Sequence, residues 1–177
     1  VYGKAKDCFI PSFQSIVSSI KKDTAAIFLC NPSNPVYKFF PADLIEKIID
    51  EVEKRGIYLI IDEVGDAFRY NEAKKYIYPN NINPERVIRV CSASKLFIMA
   101  ESRLGYVIAE HNIATAISRK VSNNVSHINY GACEAWRLGL EQEKKRLLGK
   151  NKHSFYTLNY NKNLSILNNC RDITVNT

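Results

Sequence analysis

Two hydrophobic rhythms alternate along this chain. Short unbroken apolar runs are separated by longer stretches in which apolar residues recur every three or four positions. Ala25 to Cys30 (Ala-Ala-Ile-Phe-Leu-Cys) is a run of the first kind, with Asp23-Thr24 before it and Asn31-Pro32 after it. A short apolar run closed by turn formers predicts a strand covered on both faces. Ile57 to Ile61, ending at Asp62, and Val87 to Cys91, ending at Ser92, predict a second and a third strand, and Gly105 to Ala109 a fourth. Pro41 to Lys54 carries Leu44, Ile45, Ile48, Ile49 and Val52 at helical spacing, with proline at its first turn and Gly56 just past its end. Ser12 to Ile20 predicts a short amphipathic helix, with Phe13, Ile16, Val17 and Ile20 on one face. Ile113 to Val121, Ala132 to Leu148 and Asn151 to Leu167 read as further helices, Asp172 to Val175 as the start of a strand, and Asn71 to Pro84 as a polar surface excursion. Strands alternating with helices predict an α/β fold with a mainly parallel sheet flanked by helices.

Composition narrows the class of protein. The chain has 177 residues, 46% of them hydrophobic, enough for one domain with a buried core. A net charge of +7 raises the question of nucleic acid. The basic groups Lys21-Lys22, Lys74-Lys75 and Lys144-Lys145-Arg146 are far apart and carry no interleaved aromatics. They read as solvated helix faces, so neither nucleic acid nor membrane is an expected partner. No apolar run approaches the roughly 20 residues of a membrane span, and the first residues do not resemble a signal peptide, so the expected location is cytoplasmic. The cysteines (Cys8, Cys30, Cys91, Cys133 and Cys170) are odd in number and lack a Cys-x-x-Cys pair, which reads as free thiols. His111, His127 and His153 do not share metal-ligand spacing, and no metal is expected. Arg171 to Thr177 stops in what reads as the middle of an element, and Val1-Tyr2-Gly3 enters without a cap. The chain reads as a piece of something longer.

In a parallel sheet, ligands bind where strands end and loops begin. After the first predicted strand comes Asn31-Pro32-Ser33-Asn34-Pro35, after the second Asp62-Glu63, and after the third Ser92-Ala93-Ser94-Lys95. Arg103 stands eight residues beyond Lys95. Each feature alone is ordinary: Asn-Pro pairs make turns, an Asp at a strand end caps a helix, and Ser-x-Ser is a good N-cap. Their order and spacing is specific, with Asp62 28 residues after Asn34 and Lys95 33 residues after Asp62.

That combination resembles the class I/II aminotransferases, fold-type I enzymes dependent on pyridoxal 5'-phosphate (PLP), over roughly Phe9 to Leu148. Their motifs run Asn-Pro-x-Asn-Pro, Asp-Glu-x-Tyr, Ser-x-Ser-Lys and then an Arg eight residues on. The resemblance implies that residues 1–150 form the PLP-binding large domain of the PLP-dependent transferase fold, lacking its N-terminal part. Residues 151–177 would lead into a missing C-terminal small domain. It implies that Lys95 holds the cofactor aldehyde as a Schiff base and then shuttles protons. Asp62 would pair with the pyridine nitrogen, Asn34 would donate to the ring 3-oxygen, and Arg103, Ser92 and Ser94 would hold the phosphate beside a helix N-terminus. The implied activity is amino transfer between an amino acid (or amino phosphate) and a 2-oxo acid, in a homodimer. In such a dimer Ser122 to Tyr130 would lie near the partner's site, and Trp136 reads as core or subunit interface.

Three departures stand beside the resemblance. Gly65 replaces the usual Tyr three residues after the Asp. Val36-Tyr37 replaces Thr-Gly after the second Pro, which brings another phenol into that loop. No Gly-rich phosphate loop and no C-terminal carboxylate-binding Arg are present. Gly65 keeps a second chemistry open, a PLP decarboxylase or lyase; a degenerate, non-catalytic homologue is the third reading.

Overall fold

In the computed structural model, residues 1, 3–7, 9–65, 85–96, 99–124 and 128–150 are described. The predicted segments Asn71 to Pro84, Asn151 to Leu167 and Asp172 to Val175 lie outside them. Each apolar run becomes a strand: β1 is Ala26–Cys30, β2 Tyr58–Asp62, β3 Val87–Ser92 and β4 Gly105–Ile108. They form one sheet in the order β1-β2-β3-β4. β1, β2 and β3 run parallel, in a register that pairs Cys30 with Asp62 and Asp62 with Val90. β4 is antiparallel to β3, because the chain leaves β3 and re-enters the sheet at the same end, Gly105 opposite Ser92. Gly105 suits that return, since a Cβ there would stand 3.0 Å from the Cys91 carbonyl oxygen.

Helix α1 spans Phe13–Ser18 and α2 spans Ala42–Arg55. Ser12 starts α1 by accepting the Ser15 N–H at 3.2 Å, which satisfies one of the donors a helix start leaves open. Pro41 precedes α2, where a missing N–H costs nothing, and Gly56 ends it in the left-handed conformation at φ 70°. The apolar stripe of α2 is then forced inward: Ile45, Ile48 and Val52 are fully covered. They pack with Ile16 of α1, Phe40, and Leu29, Leu59, Ile61 and Val87 of the sheet. Burial of each such side chain stabilises the fold by about 1.5–3 kcal/mol.

β1 departs from the expectation of cover on both faces. Leu29 is buried under the helices, but Phe28 on the opposite face is 64% exposed. The unbroken apolar run reports a strand correctly here; the helices α1 and α2 cover only the face to which Ile27 and Leu29 belong.

Helix α3 is Ala93–Leu96, and α4 spans His111–Asn124. The sheet falls in the unit that ends at residue 127, and helix α5, Tyr130–Leu147, in the unit that begins at residue 128. Asn129 caps α5 by accepting the Ala132 N–H at 3.1 Å. None of the helices among the described residues is long and apolar enough to cross a membrane.

Candidate active site

Alternation along a strand sends successive side chains to opposite faces. Through the parallel register, Cys30, Asp62, Val90 and Ser92 therefore share one face near the carboxyl ends of β1, β2 and β3. This places two of the sequence-predicted residues, Asp62 and Ser92, on the same side of neighbouring strands.

The loop after β1 is built around its first asparagine. Asn31 is buried, and its side-chain oxygen accepts the Phe40 N–H at 2.9 Å, pinning the loop's far end to the core. Both Asn31-Pro32 and Asn34-Pro35 are cis peptide bonds. Asn34, the candidate donor, is exposed, and its backbone lowers the pKa of the nearby Cys30 thiol, against larger opposing effects. Burial raises the Cys30 thiol pKa above its ordinary value, and the Asp62 charge raises it further. Asn34, Cys30 and Asp62 thus meet at one corner. A cavity of about 430 Å³ flanks β1 and includes Phe28, Cys30, Ser33 and Asn34 in its lining. Neither Asp62, Ser92 nor Lys95 lines it, so it reaches the corner only from the β1 side.

Asp62 is held by its own turn: its Oδ1 accepts the Val64 N–H at 2.9 Å. Beyond β3, Ser92 Oγ accepts the Ser94 N–H at 3.0 Å and lies 2.8 Å from Ser94 Oγ. It also lies 3.2 Å from the Leu104 carbonyl oxygen, which accepts the Ala93 N–H at 3.1 Å. These bonds tie Leu104, the residue that follows Arg103, to the start of α3. Arg103 has a left-handed backbone (φ 49°) and an exposed side chain whose guanidinium is 3.4 Å from the Ala100 carbonyl. Lys95 sits on α3 and is exposed. The described polar side chains at this end are the Ser92 and Ser94 hydroxyls, the Lys95 amine and the Arg103 guanidinium.

A second cluster occupies the opposite face. Glu63 is 5% exposed, and Arg89 of β3 donates to it three times, from Nε at 3.0 Å to each oxygen and from Nη2 at 2.8 Å. The Cys91 sulfur lies 3.6 Å from the same carboxylate. Burial, and after it the Glu63 charge, pushes the Cys91 thiol up to about 11. Tyr106 on β4 is raised as well, by burial first and then by Cys91. Sequence reasoning passed over this cluster. Its signal was Arg89 inside the apolar run Val-Ile-Arg-Val-Cys, since a charge in a covered strand demands a partner.

A carboxylate, two hydroxyls, an amide, an amine and a guanidinium thus stand on the segments that follow adjacent parallel strands, the edge of an α/β sheet at which ligands are generally bound. Residues 4–146 match the family described as aminotransferase class I and II, and the chain belongs to it. Over 140 residues it is 28% identical to an aspartate aminotransferase of Thermotoga maritima, a match that takes in 79% of this chain and 37% of that enzyme. The crystal structure of the aspartate aminotransferase from that organism superposes with a TM-score of 0.62 at 26% identity, over 71% of this chain and 33% of that one. A PLP-bound putative aminotransferase of Clostridium difficile shares the fold at 22% identity, with a TM-score of 0.56 over 68% of this chain and 32% of that one. The fold is therefore that of the PLP-dependent transferases, and class I and II aminotransferases depend on PLP. The chain spans about a third of the length of the relatives it matches.

Proposed function

We propose that this chain is the cofactor-binding core of a PLP-dependent aminotransferase, which moves an amino group between an amino acid (or amino phosphate) and a 2-oxo acid. The observation that carries the reading is the register Cys30–Asp62–Val90, with Ser92 on the same face and bonded to Ser94 and to the carbonyl of Leu104, the residue after Arg103. The donor set fits the cofactor: hydroxyls and a guanidinium suit a phosphate dianion, a carboxylate suits a protonated pyridine, and an amine suits an aldehyde. When bound, PLP supplies an electron sink for the substrate's α-carbon. Asp62 would hold the ring nitrogen protonated, in an orientation set by the Val64 N–H. Ser92, Ser94 and Arg103 would anchor the phosphate, and Asn34 would donate to the ring oxygen. Lys95 would carry the cofactor between turnovers and, once released, move the proton at the substrate's α-carbon. The reading includes residues 1–150 as the large domain, 151–177 as the lead-in to a small one, a homodimer whose copies complete each other's sites, and a cytoplasmic location.

The test is an absorbance spectrum of the protein with PLP, with Lys95→Ala alongside, followed by borohydride reduction and mass analysis. A visible band that reduces onto Lys95 and is lost in the variant is the expected result. The same band in Lys95→Ala, or reduction onto another lysine, overturns the assignment.

A further inference from the structure

We propose that Tyr37 is the phenol of the cofactor site, delivered by the loop after β1 in place of a side chain at position 65. The inference rests on the cofactor reading given above. Tyr37 takes a left-handed backbone, φ 52°, which a bulky residue seldom adopts. The loop holds it there from both sides. The Tyr37 N–H donates to the Ser33 carbonyl at 2.6 Å, the Ser33 N–H donates to the Lys38 carbonyl at 2.8 Å, and the Lys38 N–H donates to Ser33 Oγ at 3.2 Å. This conformation directs the ring onto the turn that follows Asp62. A Cβ built on Gly65 would stand 3.6 Å from Tyr37 Cε1, the ring carbon next to the one that bears the hydroxyl. The hydroxyl end of the side chain, rather than its root, therefore lies at this turn. Pro32 closes the other side of Gly65, with its Cγ 3.0 Å from the same point.

Glycine at position 65 and tyrosine at position 37 are thus one arrangement. A side chain at 65 would meet Pro32 and Tyr37, and without one the Tyr37 ring occupies the ground beside the turn that follows Asp62. A phenol hydroxyl there would be a donor for the cofactor's ring oxygen. Donation to an oxygen that shares a proton with the lysine-derived nitrogen draws charge from it, so that nitrogen releases its proton more readily. Tyr37 in this role is a tuning group for the lysine-linked cofactor, as well as a cover for Gly65.

Tyr37→Phe separates the two roles, because it keeps the ring and removes only the hydroxyl. The experiment is a pH titration of the visible absorbance of the PLP-loaded protein, wild type against Tyr37→Phe, with thermal unfolding of both. The expected result is a spectral midpoint raised by about one pH unit, a tenfold gain in proton affinity, at an unchanged unfolding temperature. A band in both proteins with the same midpoint overturns the inference and leaves the cofactor reading intact. No band in the wild type overturns both.

Discussion

Arg89→Met isolates the clamp behind the site. The substitution keeps an unbranched apolar stem and removes from Glu63 the two donors Nε and Nη2, which make three contacts at 2.8–3.0 Å. Glu63, 5% exposed, is left with the Cys91 thiol at 3.6 Å, a weak donor. Breaking a buried pair by deleting one partner costs about 3–5 kcal/mol, while replacing both by apolar groups is close to neutral. Arg89→Met should therefore lose about 3–5 kcal/mol, and Glu63→Leu/Arg89→Met should recover most of it. Urea unfolding reads this directly: with a slope of about 1–3 kcal/mol/M, the single variant's midpoint should fall by about 1 M or more. Costs of the two single substitutions that add to within about 0.5 kcal/mol in the double variant would refute the coupling. Because the clamp lies on the face opposite Asp62, the double variant should also keep the PLP band.

The two asparagines of the loop should separate by experiment. Asn31→Ala leaves the buried Phe40 N–H without the acceptor now at 2.9 Å and should cost about 1–3 kcal/mol, seen as a drop of several degrees in unfolding temperature. Asn34→Ala, at an exposed side chain, should change stability by less than about 0.5 kcal/mol but weaken PLP binding about tenfold in a fluorescence or absorbance titration. Equal stabilities for the two variants would count against the division of labour. Cys91 gives a pH dependence. Its pKa is raised from 9.0 to about 11 in the folded protein, so the native state keeps a proton that the unfolded chain gives up first. The stability this confers is complete below pH 9 and is lost as pH rises from 9 toward 11. Unfolding temperatures should fall over that window, and less steeply in Cys91→Ala; identical slopes would show that Cys91 does not carry the effect.

The strands were legible to within one or two residues because each is a short apolar run stopped by a polar group: Cys30 before Asn31, Ile61 before Asp62, Cys91 before Ser92. Helix α2 was legible for the complementary reason, with a stripe at helical spacing between a proline and a glycine. The direction of β4 was not, because it depends on where the chain returns, Gly105 to Ser92, and no local pattern encodes that. The openness of the Phe28 face was hidden for a similar reason: an apolar run shows what a strand can bury, while cover depends on which helices arrive. At the site, the spacing of Asn34, Asp62, Lys95 and Arg103 carried the family, but the packing of Tyr37 on Gly65 joins residues 28 apart whose local sequences say nothing of each other.

The Asp62-Glu63 pair shows how one step of alternation divides structure from chemistry. Written in sequence, the two carboxylates are interchangeable candidates for the same task. In the sheet they diverge. Asp62 shares a face with Cys30 and Ser92, and its Oδ1 is held by the Val64 N–H of its own turn. Glu63 lies across from it, buried against Arg89 and Cys91. A carboxylate that serves a ligand must be oriented yet reachable, and one that ties strands together must be enclosed and paired. No single position meets both demands. Two adjacent acidic residues at a strand end meet them at once, since the clamp formed by the second holds β2 to β3 at the point where the first must keep its aim.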